Sequence, residues 1–539
     1  MTHRNYTVIR SSNPDPETYC PANGYIINPL TEDKGWFLLL SFVTNSPSTT
    51  TFAPNITGSG KYAWDLGDET IVMEPLSIVH TYADASEKTV KLYGKGICAI
   101  TSITAQSDHV VGAMNLTNDA FKTLVSFNFN NNLQLTSLLL HPSPTGYFSV
   151  MLASGTGISN IDLTAYYKFS SNATIQFYSC PNLETVTLTS TPIEGAIASL
   201  ALHSNKLTGT LDISIIEKLT SGSSFQFYNN PLLTRLITPA SVTGTLSQFM
   251  AHSCNLSYTL DLRAYLTVTN LVVWAQDNIN LPEILFPTTI TGTISTILLT
   301  TIGISSLDIS MLINWTTTGN LQIAQCPNLA TIAFPASGTG TMTALYVANN
   351  NILTTALDLS IFTSFAASST IQVHTNPLVT SVSFYNSIAT TFFNIRISDM
   401  PLLTTLDLSM FENFVATGGY FNVSNMPNIA TLTLPATISG KIVSFAFNNT
   451  GDMSNKSLLG YSGIFDINNS AITFSANEFD AATTNRFLYE LDEITASGYT
   501  GRSINISGTN AAPDSTSGGY DGLAEKAALI AKGFTVTTS

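Results

Sequence analysis

The sequence predicts a mainly β fold: a solenoid whose coils each add one strand to a long parallel sheet. A first observation is a spacing, apolar-x-apolar-x-x-Asn or Met, that recurs about every two dozen residues and is clearest from Leu345 to Leu434. A second is the length of 539 residues, too great for one compact core. A third is the composition, 44% hydrophobic and 10% charged, which argues against disorder and leaves solubility to Ser, Thr, Asn and Gln.

The charge and the N-terminal segment exclude some partners. The formal net charge is -15, with only 20 Lys and Arg residues and no basic run, so we expect no nucleic-acid partner. No apolar segment follows the Arg and His residues of positions 1–20, so no secretory signal is visible. The apolar run Trp36–Val43 is far shorter than the roughly 20 residues of a membrane helix and alternates like a strand, so no membrane insertion is expected.

Residues 1–110 lack the repeat and are predicted to form a small β module. Short alternating runs bounded by Gly and Asp turns are typical of sandwich strands. The segment Tyr62–Thr70, followed by His80–Tyr82 and Thr89–Gly94, resembles the polycystic-kidney-disease (PKD) type of immunoglobulin-like module. In that family the turn ends in Gly, where this chain has Glu69. The resemblance implies a spacer or adhesion module.

Residues 111–476 carry the repeat. With the first apolar residue of each coil as position zero, positions zero and two should point inward, because side chains alternate along a strand. Among the predicted inward pairs are Phe127/Phe129, Ile175/Phe177, Leu200/Leu202, Phe225/Phe227, Leu271/Val273 and Leu321/Ile323. Position five forms a column of mostly Asn and Cys: Asn132, Cys180, Asn205, Asn230, Cys254, Gln276, Cys326, Asn350, Asn376, Met400 and Met426.

This column resembles the Asn/Cys position of leucine-rich repeats, and the resemblance implies a leucine-rich-repeat solenoid with a parallel sheet. Its physical basis is that a buried turn leaves main-chain groups unpaired, which a short amide or thiol can satisfy from inside. Cys180, Cys254 and Cys326 lie coils apart, too far for a disulfide, and are predicted to be buried structural thiols. The roles of Cys20 and Cys98 stay open.

The coils alternate between two types. Every second coil continues into an apolar-Asp-apolar segment, with its carboxylate at Asp162, Asp212, Asp261, Asp308, Asp358 and Asp407. The apolar spacing that follows, as in Phe362 and Phe365, predicts a short helical turn on the outer side, capped by Asp or Ser. The intervening coils carry a Pro and a Gly, as in Pro239 to Gly244, and are predicted to be extended or turn-like.

Residues 477–539 are predicted to form an α/β cap, because the last apolar edge of a stack must be covered. A helix, a strand at Ser503–Ser507 and a second helix at Leu523–Lys532 are expected in this order. The helical spacing of the first is formed by Phe487, Leu488, Leu491 and Ile494. The succession of PKD-like start, repeats and tail resembles repeat proteins of Bacteroidetes-type bacteria and of the tailed phages that infect them.

The most informative surface is position three, which faces outward on the strand side. It carries a flat side chain in five successive coils, and Gln residues at position one lie beside it. The candidate ligand-binding residues are Tyr178, His203, Tyr228, His252, Trp274, Gln176 and Gln226. Aromatic faces flanked by amides offer stacking and hydrogen bonds without charge, which suits a neutral glycan or a polar protein surface. The alternative is that aromatic residues here merely favour strands.

No catalytic, cofactor or metal site is predicted. The Asp residues recur two coils apart, at about 10 Å, outside the roughly 5 Å of retaining glycosidases and marginal for inverting ones, and their recurrence favours a capping role. His203 and His252 are likewise two coils apart, too far to share one metal ion. No Ser-His-Asp order, phosphate loop or CxxC lies on a suitable turn.

We therefore expect a non-enzymatic virion protein of a tailed phage, a tail fibre or capsid-attached adhesin that binds a host-surface glycan or protein through its repeat face. Its expected partners are this host ligand and other virion proteins, and a homo-oligomer is compatible with the sequence. A virion assembles without an export signal, which favours this interpretation over a bacterial cell-surface or secreted adhesin whose leader is missing from the sequence. A glycan-degrading solenoid enzyme is the third alternative.

Overall fold

The computed structural model describes residues 7–10, 30, 35–47, 51–73, 77–354 and 356–539. The chain divides into two compact units, Met1–Thr267 and Val268–Ser539. Each unit contains a parallel β-solenoid, in which equivalent strands of successive coils pair side by side. The mainly β solenoid predicted from the repeat is therefore confirmed. The boundaries at residues 110 and 476 stay a prediction.

In the first unit, alternate strands from β7 onward form a main parallel sheet in the order β7, β9, β11, β13, β15, β17. On the return side of the coils β10 pairs with β12, and β14 with β16. The strands are β1 (Thr7–Arg10), β2 (Trp36–Thr44), β3 (Asn55–Asp65), β4 (Thr70–Met73), β5 (Lys88–Thr104), β6 (Val110–Asn115), β7 (Ser126–Asn128), β8 (Leu135–Leu139), β9 (Phe148–Leu152), β10 (Asn160–Leu163), β11 (Phe169–Gln176), β12 (Thr185–Leu188), β13 (Ile197–Ala201), β14 (Gly209–Asp212), β15 (Leu219–Gln226), β16 (Leu233–Ile237), β17 (Leu246–Met250) and β18 (Leu260–Asp261).

Strand β5 joins two kinds of strand pairing within the first unit. It pairs antiparallel with β2 and β3, and its last residues, 102–104, pair parallel with β7. Trp64 and Tyr62 of β3 are almost completely buried in the antiparallel region. One continuous strand therefore leads from the antiparallel sheet into the first coil of the solenoid.

The turn after β3 has the geometry of a glycine turn although it contains Glu69. The φ angle of Glu69 is +71°, in the left-handed region that favours glycine. Asp65 Oδ1 accepts a hydrogen bond from the Gly67 amide at 3.0 Å, and His80 Nε2 lies 2.7 Å from Asp68 Oδ2. These side-chain contacts hold the turn in place of the missing glycine.

In the second unit the main parallel sheet runs β21, β23, β25, β27, β29, β31, β33. On the return side β22 pairs with β24, β26 with β28, and β30 with β32. The strands are β19 (Thr267–Trp274), β20 (Ile284–Leu285), β21 (Thr291–Thr300), β22 (Ser306–Asp308), β23 (Trp315–Ala324), β24 (Thr331–Ala333), β25 (Met342–Ala348), β26 (Leu357–Leu359), β27 (Phe365–His374), β28 (Val382–Phe384), β29 (Phe392–Ser398), β30 (Thr405–Asp407), β31 (Gly419–Met426), β32 (Thr431–Thr433), β33 (Ile442–Thr450), β34 (Ala471–Thr473), β35 (Arg502–Ile506) and β36 (Phe534–Thr538).

The last part of the second unit contains helices α1 (Ala481–Ile494) and α2 (Gly522–Ala531). Each begins after an Asp, Asp480 or Asp521, whose side chain accepts a main-chain hydrogen bond from the first turn. The predicted strand and second helix of this segment are thus found within one residue of the expected bounds, and α1 contains the residues whose spacing predicted the first helix. Strands β34, β35 and β36 extend the parallel ladder from β33, so strand stacking continues where the sequence period stops.

Single 3-10 turns complete the described helical segments. One of them lies in the first unit and three lie in the second. Their bounds are Asp119–Phe121, Met453–Asn455, Leu459–Tyr461 and Ser517–Gly519.

The predicted inward pairs are buried, none of them more than 3% exposed. The column at position five is buried as well, and its side chains bond the main chain as predicted. Asn230 Nδ2 donates to Leu202 O at 2.9 Å in the preceding coil and to Phe227 O at 2.7 Å in its own, while Oδ1 accepts from the Leu207 amide at 3.2 Å. Where the column holds Asn, a buried amide therefore ties the coil to the one before it.

Three members of the column are thiols that replace this amide. Cys180 Sγ lies 3.2 Å from Ala153 O, and Cys254 and Cys326 make the same contact with Phe227 O and Leu299 O at 3.3 Å. Burial raises the pKa of Cys254 and Cys326 to about 12, so both thiols stay protonated and donate. All three are free and buried, which confirms the prediction, whereas Cys98 is half-buried and Cys20 lies outside the described residues.

The prediction that Gln276 belongs to the column is wrong. The column residue of this coil is Asn278, which is fully buried and donates from Nδ2 to Ala275 O at 3.0 Å. A residue with left-handed φ, Asp277, precedes Asn278, just as Asn229 precedes Asn230. The pair that leads into the turn is therefore Val273/Ala275, two residues later than expected.

The Asp segments form turns and not the expected helical turn. Asp212 Oδ1 accepts from the Ser214 amide at 2.9 Å, and the Ile216 amide bonds Ile213 O at 3.0 Å. Strand β15 begins at Leu219, so no room is left for a helix. The predicted capping role is confirmed, because the same carboxylate-to-amide bond recurs at Asp162, Asp261, Asp308, Asp358 and Asp407.

Glycine in the intervening coils permits close approach of neighbouring coils. At Gly244, where φ is +93°, a Cβ would lie 2.1 Å from Leu219 O of the preceding coil. At Gly195, where φ is +90°, it would lie 1.9 Å from Phe169 O. Any other residue would push the coils apart.

We predict that Gly244→Ala lowers the free energy of unfolding well beyond the backbone strain alone. Gly222→Ala is the matched control, because Gly222 also has a positive φ, +83°, but a Cβ at this position would meet no atom within 4 Å. The control should lose about 1–2 kcal/mol from left-handed strain, and Gly244→Ala at least roughly twice as much. Chemical denaturation followed by circular dichroism measures both. Equal losses would contradict the carbonyl clash.

We predict that Asn230→Ala destabilises the first unit by about 2–4 kcal/mol, because it leaves buried main-chain groups of two coils without a partner. Asn230→Cys should lose less, since Cys254 already serves the same position with a thiol. Limited proteolysis and urea unfolding compare the two variants. Equal destabilisation by Ala and Cys would show that side-chain hydrogen bonding is not what the column provides.

Candidate functional site

The outward face of the main sheet of the first unit brings four of the predicted residues together. Strands β11, β13, β15 and β17 pair in register, so equivalent residues of successive coils lie side by side, about 4.8 Å apart. The main-chain ladder extends beyond the strand ends, because the amides of Ser179 and Ser204 bond the carbonyls of His203 and Tyr228. The residues at position three of successive coils are therefore held at the same distance from one another as the paired strands.

At this position Tyr178, His203, Tyr228 and His252 form one continuous ring stack, here called the aromatic ladder. The ring centroids are 4.6, 4.2 and 4.6 Å apart, and successive planes differ by 11°, 7° and 8°. All four side chains are half-buried. The coil spacing thus matches the thickness of stacked rings, and each ring fixes the orientation of the next.

The stacking changes what the ladder can offer a ligand. The sequence suggested a stripe of exposed aromatic faces, but the faces of His203 and Tyr228 are covered by the neighbouring rings. Ring edges point to solvent instead, with the phenol hydroxyls and imidazole nitrogens on them. The ladder therefore presents a line of hydrogen-bonding groups and polarised C–H edges.

Both imidazoles are oriented by a neighbouring hydroxyl. His203 Nδ1 and His252 Nδ1 lie 3.2 Å from the hydroxyls of Ser204 and Ser253. Burial, and to a lesser degree His252, lowers the pKa of His203 below its usual value. Burial also raises the pKa of Tyr228. Burial therefore favours the uncharged forms of these two side chains.

A second polar row flanks the ladder at position one, but it is not continuous. Gln226 Nε2 donates to Ser224 Oγ at 3.0 Å and lies 3.3 Å from Gln248 Oε1 of the next coil. Gln176 is half-buried at the equivalent position, yet Ala201 stands between it and Gln226. Sequence reasoning overlooked Gln248, although it lies on the same face, four residues before His252.

Trp274 does not occupy the position predicted for it. Because its coil is shifted by two residues, Trp274 is at position one and Gln276 at position three. It belongs to strand β19 of the second unit and is half-buried. The described ladder of the first unit therefore ends at His252.

In the second unit position three holds Gln276, several smaller residues and one histidine. His374 lies between Ala348 and Ser398, is only 7% exposed, and approaches Thr375 Oγ1 at 3.1 Å. Burial lowers the pKa of His374 to about 4, with Arg396 acting in the same direction and Asp399 opposing it. This histidine is packed in its neutral form between two small side chains.

We predict that His374 makes stability depend on pH. The unfolded chain binds a proton near pH 6.5 that the folded chain binds only near pH 4, so stability should fall as the pH drops from 6.5 to 4 and then level off. The loss is at most about 3 kcal/mol. Urea unfolding of the native protein and His374→Gln at several pH values measures the difference. A parallel pH dependence in both would contradict the assignment.

The described part of the chain shows few other features of a chemical site. Within it, no three His, Cys, Asp or Glu side chains converge as metal ligands would. None of its helices is long and apolar enough to cross a bilayer. Comparison with family models, curated proteins and solved structures finds no match to this chain.

Proposed function

We propose that this protein is a binding protein and not an enzyme, and that the outward sheet face of the first unit is its ligand-binding surface. The aromatic ladder is the observation that carries the proposal. Four rings locked by mutual stacking are already ordered before a ligand arrives, so little side-chain entropy is lost on binding.

The chemistry of this face fits a neutral, polar ligand. Between position minus one and position three, strands β11, β13, β15 and β17 present only uncharged side chains among the described residues, including Thr174, Ser199 and Met250. Hydroxyls, amides and imidazole edges can both donate and accept hydrogen bonds. A host-surface glycan without charge, or a polar protein surface, satisfies these groups better than an ionic ligand.

The architecture supports the proposal as a scaffold. We propose that the coils are leucine-rich repeats, because their Asn/Cys column bonds the main chain in the way that family's column implies. The antiparallel strands β2 to β5 would be the PKD-like spacer, and the α1 to β36 segment the α/β cap. Solenoids of this kind commonly bind ligands on their exposed sheet.

We place the protein in the virion of a tailed phage, as a tail fibre or capsid-attached adhesin, in contact with other virion proteins. This placement rests on the sequence resemblance. A bacterial cell-surface or secreted adhesin with the same binding face is the alternative. Mass spectrometry of purified virions separates the two: peptides of this chain in the particle support the first, and their presence only in bacterial surface or culture fractions overturns it.

A glycan-degrading enzyme is the less favoured alternative. Asp358, a member of the recurring Asp column, accepts hydrogen bonds from the Ser360 amide and hydroxyl and from Ser383 Oγ. Hydrogen bonds to its carboxylate lower its pKa. A carboxylate used in this way supports turn structure and is poorly placed to act as a general acid.

We predict that Tyr228→Ala weakens binding to host cells or to a glycan on an array at least about tenfold, because it removes a central ring and frees its neighbours. Tyr228→Phe should retain the stack and lose only the contribution of the hydroxyl. Tyr147→Ala is the matched control, since Tyr147 is 53% exposed in the same unit but outside the ladder.

Binding that is unchanged in Tyr228→Ala would remove the ladder from the binding surface. Equal loss in Tyr147→Ala would point to a general effect on the unit. Trp274→Ala, measured in the same assay, tests separately whether that side chain takes part.

A further inference from the structure

A cleft of about 420 Å³ lies on the return side of the first unit, between strands β12 and β14. Its size falls within the range of small-molecule sites. The cleft is separate from the outward sheet face, because β12 and β14 belong to the return-side strand pairs.

The cleft exists because the coils associate in pairs on this side. Strand β12 forms its two-stranded sheet with β10, and β14 with β16, so the facing edges of β12 and β14 form no ladder with each other. At one end the gap is closed, since the Thr208 amide bonds Glu184 O at 3.0 Å. Beyond this bond main-chain groups of both edges border the opening.

The second unit carries a larger side chain at the equivalent place. Phe384 ends β28 and occupies the register position of Leu188 in β12, opposite the second Leu of the Asp segment. Its ring packs on Phe411 of the following coil pair, with centroids 5.2 Å apart. In the first unit the smaller Leu188 leaves the space open.

The lining has the character of a saccharide site. Apolar side chains such as Leu188 and Leu211 line the cleft together with hydroxyl-bearing side chains such as Thr187 and Thr210. None of the lining residues, all of which the structure describes, is Lys or Arg, and two of them, Glu184 and Asp212, are acidic. An anionic ligand is therefore disfavoured, whereas C–H faces and hydroxyl edges of a sugar ring match the lining.

An extended peptide fits less well. A strand added between β12 and β14 would have to run along both edges, but the Thr208–Glu184 bond blocks its path. Each edge is also short, since β12 and β14 have 4 residues each. A compact ligand that enters from the open side meets no such obstruction.

We propose that this cleft binds one or two rings of a neutral saccharide, with the apolar residues against the ring face and the hydroxyls and main-chain edges on the ring substituents. This site is independent of the aromatic ladder. The first unit would then have two binding sites, the aromatic ladder on its main sheet and this cleft on its return side.

Saturation-transfer NMR and calorimetry with glucose, galactose, mannose, N-acetylglucosamine, maltose and cellobiose test the proposal. At least one sugar should bind in the millimolar range, and Leu188→Phe should weaken it at least about tenfold by filling the cleft. Leu232→Phe is the matched control, because Leu232 is 52% exposed and does not line the cleft. Circular dichroism checks that each variant remains folded.

Tyr228→Ala is measured in parallel, because a loss of sugar binding confined to this variant belongs to the ladder, whereas a loss confined to Leu188→Phe belongs to the cleft. The proposal is overturned if no sugar binds up to its solubility limit, if Leu188→Phe binds as well as the native protein, or if only Tyr228→Ala abolishes binding. Preferential binding of an extended Thr/Val peptide that Leu188→Phe abolishes would also overturn it, in favour of a peptide site.

Discussion

The in-register parallel pairing of successive coils is the constraint on which the rest of the structure depends. Main-chain hydrogen bonds hold equivalent residues about 4.8 Å apart, so each position of the repeat becomes a row. A side chain in one coil therefore lies next to the side chains at the same position of the neighbouring coils. Asn230 can bond Leu202 O only because the two coils keep this register, and the rings of His203 and Tyr228 can stack for the same reason.

The strands of the two kinds of coil pair differently on the main sheet and on the return side. On the main sheet every coil contributes a strand, and the rows are continuous within each unit. On the return side the Asp coil pairs with the Pro-Gly coil that follows it, and the pairs are separated by gaps. Leu188 lines the cleft of the first unit, whereas Phe384 at the equivalent place of the second unit packs its ring on the following coil pair.

Much of the repeat could be predicted from the sequence, because burial and alternation leave a strong pattern. Phe225 and Phe227 are buried as a period of two requires, and the thiols and amides of the column were expected to bond the main chain. The prediction for the coil of Gln276 failed because Leu271, Val273 and Ala275 are all apolar. Both Leu271/Val273 and Val273/Ala275 therefore fit the spacing. Only the position of the left-handed residue Asp277 decides between them.

The sequence predicted which residues belong to the candidate site better than it predicted how their side chains are arranged. Spacing indicates which residues share a row, but the orientation of a ring depends on its neighbours, so edge exposure could not be foreseen for Tyr228 or His203. The return-side cleft could not be predicted from the sequence, because it depends on which coils pair with each other, and this pairing joins residues far apart in the chain. Gln248 was overlooked because no apolar-polar contrast distinguishes it from other outward residues.

The continuity of β5 has a mechanical consequence for the first unit. Tension applied through the antiparallel strands passes along β5 and reaches β7 as shear, parallel to the strand axis. In shear the bonds of a ladder are loaded together, whereas peeling loads them one at a time. The hydrogen bonds between β5 and β7 are thus loaded in the direction in which they resist force best. The rate at which the β5–β7 pairing opens then determines how long it withstands pulling.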